Sequence, residues 1–135
     1  MHPRLAAACL VAVVLLTACA THADDGSADA RRVCISIGAG EGSTPRPDST
    51  PADVDWAMLA DGLNTRADAA ASAARKDARW DRLADSLNTL QRLTAGLAAQ
   101  QADGMARPEL APEDRRQAVE AYDVMNSECR KARAD

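Results

Sequence analysis

The chain contains no phenylalanine, one tyrosine and two tryptophans. Much of its apolar content is alanine, which buries little area, so a domain built from it has a thin margin of stability. Histidine is equally scarce: His2 lies in the first residues, and His22 sits in a short polar stretch that cannot hold catalytic geometry. No serine-nucleophile motif, no Cys-x-x-Cys and no His-x-x-x-His occurs, which removes the common hydrolase and zinc patterns. Asp81 with Asp85 and Asp24 with Asp25 are acid pairs with arginines nearby, and nothing sets them across a cleft as glycoside hydrolysis requires. These absences argue against an enzyme, and no cofactor or metal is expected. The formal charge is −4 and the cations are scattered among acids along the sequence. No basic patch is visible, which argues against a nucleic-acid partner.

Long hydrophobic runs are also missing, with one exception. Leu5 to Leu16 is apolar and follows Arg4. It is too short to span a bilayer comfortably and fits the h-region of a secretory signal. It ends in Leu16-Thr17-Ala18-Cys19. This stretch resembles the lipobox of bacterial lipoprotein precursors: an aliphatic residue, two small ones, then cysteine. The resemblance covers residues 1–19 alone. It implies a cleaved signal peptide at 1–18, a diacylglyceryl group on Cys19, and attachment to a membrane outside the cytoplasm. Two or three acyl chains hold a small protein stably where one does not. Cleavage removes Arg4 and takes the charge from −4 to −5. Ala20 after the cysteine is compatible with either the inner or the outer membrane.

Of four cysteines, Cys9 leaves with the signal and Cys19 carries lipid, which leaves Cys34 and Cys129 in an oxidising compartment. Helical phase places both toward a core. Ala118, Tyr122, Met125 and Cys129 share one helix face, and Ala30, Val33, Cys34 and Ile37 share another. A Cys34–Cys129 disulfide is expected. Closing so long a loop stabilises by roughly 4–5 kcal/mol in the chain-entropy model.

Residues 19–26 read as a flexible tether and 27–135 as the domain. Ser27 suits the cap of a short helix over Ala28–Ile37 with Gly38 past its end, although Val33, Ile35 and Ile37 also alternate as in a strand. Residues 38–50 form a Gly/Pro-rich loop whose G-x-G-x-G spacing, with no strand before and no lysine after, fits no phosphate cradle. Thr50-Pro51 with Asp53 reads as a helix start. Asp103-Gly104 reads as a stop, and Ala111-Pro112-Glu113-Asp114 as the opening of a last helix that runs to about Ala132.

Within 51–103, WAMLADGLNT (Trp56–Thr65) returns as WDRLADSLNT (Trp80–Thr89), identical at seven of ten positions. Each copy places Trp, Leu, Ala and Leu on one helical stripe, the ordinary core face of an amphipathic helix. The copies stand 24 residues apart, so on one straight helix the second faces roughly 240° away from the first. A turn within Arg66–Asp77 would let one core receive both. That stretch holds no proline or glycine, and propensity alone favours a single helix of about 75 Å. The repeat favours a hairpin.

The expected fold is all-α: a small antiparallel helical bundle of three main helices with room for a short fourth, stapled by the disulfide. The expected role is a lipid-anchored envelope protein, a non-enzymatic interaction or structural module with another envelope protein as partner. The alternative is a ligand-binding lipoprotein in which Trp56 and Trp80 stack on cell-wall glycan or a small molecule.

Overall fold

The computed structural model describes residues 26–38 and 54–135. The expected signal peptide, Cys19, the tether up to residue 25, nearly all of the Gly/Pro-rich loop, and the helix start at Thr50, Pro51 and Asp53 lie outside the described residues. All regular structure among the described residues is helical, in four α-helices. Helix α1 covers 26–37, α2 Trp56–Lys76, α3 Asp81–Ala102 and α4 Pro112–Ala134, with a 3-10 turn at Ala78–Trp80 between α2 and α3.

Helix α1 settles the ambiguity at 28–37 in favour of helix, and it already includes Gly26. Gly26 is therefore not tether, and Ser27 is inside the helix rather than capping it. The reason is a close approach: a side chain at Gly26 would bring its Cβ within 2.9 Å of Asp77 Cβ. Gly38 ends the helix with φ +71°, a conformation that favours glycine. The sulfurs of Cys34 and Cys129 are bonded, with Cα atoms 5.3 Å apart across 95 residues of sequence.

Helix α2 starts at Trp56, later than the Thr50-Pro51 signal suggests. Asp55 caps it by accepting the Met58 N–H at 2.9 Å. Gln101 on α3 then clamps the same end, accepting from the Trp56 N–H at 3.1 Å and donating to the Val54 carbonyl at 3.0 Å. The hairpin turn falls at Asp77, the last residue of the expected window. Its extended backbone (φ −149°) ends α2, and its carboxylate caps the 3-10 turn by accepting the Arg79 N–H at 3.1 Å. One aspartate thus breaks the helix without glycine or proline. Gly104, at φ +89°, closes α3, where Met105 N–H reaches back to the Gln100 carbonyl at 3.0 Å.

Side-chain contacts set the directions. Arg82 meets Glu128, Arg92 meets Gln117 and Gln100 meets Glu109, so α4 runs antiparallel to α3. Arg31 meets the Ala132 carbonyl and Cys34 meets Cys129, so α1 runs antiparallel to α4. Asp29 meets Lys76 and Ser36 meets Arg66, so α1 also runs antiparallel to α2, beside its second half only.

The core gathers where α1 lies. Ala30, Val33 and Cys34 pack with Ala67, Ala70 and Ala73 of α2, with Trp80, Leu83 and Leu87, and with Met125, Cys129 and Ala132 of α4. The three α2 alanines let α1 approach closely, at the cost of little apolar area each. The disulfide compensates for that deficit by restricting the unfolded chain.

Candidate functional site

The two tryptophans end up in different surroundings and do not share a groove. Trp80 is 1% exposed, in the core under α1. Trp56 is half-buried at the opposite end of α2, a helix of 21 residues or about 31 Å. A buried indole offers no face to a sugar, so the paired stacking surface of Trp56 and Trp80 is not formed. Trp80 Nε1 is buried without a hydrogen-bond acceptor, and the Arg79 guanidinium stands over the ring at 4.9 Å from its centre.

Arg79 is the junction of one end of the molecule. It binds Asp77 at 2.6 Å and Asp135 at 3.1 Å, and it donates to Ser27. It thereby joins the hairpin turn to α1 and to the last residue of the chain. Asp29 joins the same end from α1, paired with Lys76 at 2.6 Å and with Arg32. The hydrogen bond from Lys76 holds the Asp29 carboxyl below its ordinary value, against a smaller opposing effect of burial.

A group missed in the sequence lies on α4. Glu128 is 1% exposed, bound by Lys131 at 2.8 Å and by Arg82 at 3.5 Å. Its burial was legible in phase: Ala118, Ala121, Met125, Glu128 and Ala132 fall at alternating spacings of three and four and all are buried. Glu128 occupies a core position of an otherwise apolar seam. Two exposed cations reach down to it and compensate its desolvation.

Arg82 is also the residue that links Glu128 to a groove on α4. That groove, about 740 Å³, is walled by Arg82 of α3 and by Pro112, Arg115, Val119 and Asp123 of α4. A second groove of about 400 Å³, between Asp85 and Thr89 on α3 and Gln117 on α4, shares Arg82, Glu120 and Val124 with it. Val119 is 43% exposed on this face. Arg115 and Arg116 are followed by Glu120 and Asp123 along this face, with Val119 and Val124 between and beside them. A third groove lies between Arg32, Val33 and Ser36 on α1 and Arg66, Ala69 and Ser72 on α2.

Among the described residues no three histidine, cysteine or acidic groups stand close enough to hold a metal ion, and no helix is long and apolar enough to cross a membrane. Asp81 and Asp85 are both exposed at the start of α3, and of the two only Asp85 lines a groove described above. Both core cysteines are consumed in the disulfide. No protein-family model matches the chain, and no curated protein or solved structure matches it.

Proposed function

We propose that this is a lipid-anchored protein of the bacterial envelope, held outside the cytoplasmic membrane by an acylated Cys19, and that it acts as a non-enzymatic interaction or structural module. The observation that supports this most directly is the Cys34–Cys129 disulfide, closed across 95 residues. Such bonds persist in oxidising compartments, where the segment ending in Leu16-Thr17-Ala18-Cys19 would send the chain. We read the helix pairings as a small antiparallel bundle of three long helices, with the short α1 laid against one end.

The partner is another envelope protein, and the grooves between α3 and α4 are the surface best suited to it. They combine exposed Val119 with charged residues of both signs at the border. Nothing in the placement of Trp56 and Trp80 favours the ligand-binding alternative.

Intact mass of the protein extracted from the envelope is the test. The expected species begins at Cys19 and carries diacylglyceryl, and Cys19→Ser leaves the leader uncut. A chain that keeps residues 1–18 without lipid, with both thiols reduced, refutes the reading. A photo-crosslinking residue in place of Val119 should capture a discrete protein in intact cells, and one in place of Arg66 should not.

A further inference from the structure

Cations scattered along the sequence are collected by the fold at one end. Arg75 and Lys76 close α2, and Arg130, Lys131 and Arg133 close α4. Arg31 and Arg32 stand midway along α1, and Arg79 and Arg82 flank the start of α3. Contacts of Gly26 with Asp77, of Arg79 with Asp135 and of Arg31 with the Ala132 carbonyl bring these helix ends together. Residues 26–34, 75–82 and 128–135 hold nine cationic and five acidic side chains. The opposite end reverses the balance: residues 54–65 and 99–116 hold six acids against three arginines.

Helix dipoles account for only part of this. Cations are favourable at the carboxyl ends of α2 and α4. Arg79 and Arg82 lie at the amino end of α3, where a dipole disfavours them, and Arg31 and Arg32 lie midway along α1, beyond the reach of either helix end. The ion pairs at this end engage both signs, Glu128 with Arg82 and Lys131, Asp29 with Lys76, and Asp77 and Asp135 with Arg79, so the attraction rests on the surplus of cations over acids, which Asp24 and Asp25 before Gly26 reduce. Arg75 and Arg130 remain exposed and take part in none of the ion pairs described above.

This cationic end is also where the chain enters from the membrane, if Cys19 is acylated as proposed. Gly26 follows Cys19 by seven residues, a reach of at most about 25 Å. We infer that the end bearing Arg75, Lys76, Arg79, Arg130 and Lys131 seats on anionic lipid headgroups of the bilayer that receives the anchor. The acidic end then points away from the surface. The inference rests on the envelope reading for its geometry and adds a second, electrostatic attachment to the covalent one. Acyl chains and clustered cations reinforce each other in this way, each cation adding a short-range, salt-sensitive attraction.

The chain has two lysines, Lys76 and Lys131, and both lie in this end. An amine-reactive, membrane-impermeant reagent therefore reports on it directly. The full chain, attached through residues 1–19, is placed in vesicles of phosphatidylcholine alone or with a third of phosphatidylglycerol. Labelling of each lysine is followed by mass spectrometry. On the anionic vesicles both should label roughly fivefold more slowly, and about 0.5 M salt should abolish the difference by screening. Arg75→Glu with Arg130→Glu should restore the phosphatidylcholine rate. Equal rates on both vesicles overturn the proposal, even if the double variant fails to fold. So does full protection on phosphatidylcholine, or equal protection there by added short duplex DNA. Intact mass separates the two ideas: an acyl-free Cys19 with protected lysines sinks only the anchor, and an acylated Cys19 with unprotected lysines sinks only the headgroup contact.

Discussion

WAMLADGLNT and WDRLADSLNT are nearly the same ten residues, yet the protein uses them differently. In the second copy Trp80, Leu83 and Leu87 are all at most 1% exposed. In the first, Trp56 and Leu63 are half-buried and Leu59 is 42% exposed. The pattern is shared, so the pattern is not the cause. The cause is α1, which lies beside α2 only from about Arg66 to Lys76 and closes the core over the second copy. Among the described residues no fourth helix lies over the first copy, near the other end of the hairpin. An amphipathic stripe shows which face prefers burial, and the length of the neighbouring helix decides whether that face is covered.

Truncation should widen the contrast most. Trp80→Ala is expected to cost about 3–5 kcal/mol as a buried large-to-small change, and Trp56→Ala under about 1.5 kcal/mol. Urea unfolding of each variant measures this, and equal costs would mean that burial does not distinguish the copies. Trp56→Phe isolates the Trp80 signal, which should be blue-shifted and resistant to acrylamide.

Removing the staple should erase part of the contrast. Cys34→Ser with Cys129→Ser is expected to cost about 2–5 kcal/mol. Acrylamide should then reach Trp80 more readily as α1 detaches, while Trp56 quenching should stay unchanged. Quenching of Trp80 that does not rise would show that α1 holds without the bond.

Much of this arrangement was legible from residues alone. The phases of Cys34 and Cys129 gave the disulfide, Gly104 gave the end of α3, and Pro112 gave the start of α4. The clash between repeat and propensity in 66–77 pointed to a turn but hid its maker. Asp77 ends one helix and caps the next element, and an aspartate in an alanine-rich run carries no turn signal by itself. Glu128 was not legible by residue type, because a carboxylate at an apolar phase is buried only where cations such as Arg82 and Lys131 reach it. The gathering of cations at one end was not legible, because it depends on which helix ends meet. The short reach of α1 was hidden too, and with it the different fates of the two tryptophans.

Smaller changes test the hinge between the copies. Asp77→Ala removes a cap and a partner of Arg79 and should cost about 1–2 kcal/mol. Asp55→Ala, at the start of the first copy, should cost about 1 kcal/mol. The order of these two in thermal unfolding checks whether the turn or the free end matters more. An inverted order would mean that the Gln101 clamp depends on Asp55.

The smallest effect is one of pH. The Asp29 carboxyl titrates below its ordinary value in the folded protein because of Lys76. Its contribution to stability is therefore present above the unfolded-state value and is lost as pH falls through the lowered one. Lys76→Met should raise the Asp29 value in an NMR titration and flatten this acid limb. An unchanged titration would assign the lowering to Arg32.

Joining the first helix to the last has a consequence for the order of assembly. The α2–α3 hairpin needs only contacts near in sequence and can form early. Helix α1, made first, lacks half of its partners until α4 exists. Its sulfur must therefore wait for a mate 95 positions downstream. With Cys19 acylated as proposed, no third thiol is present to intercept it, so a scarcity of cysteine protects the pairing from error.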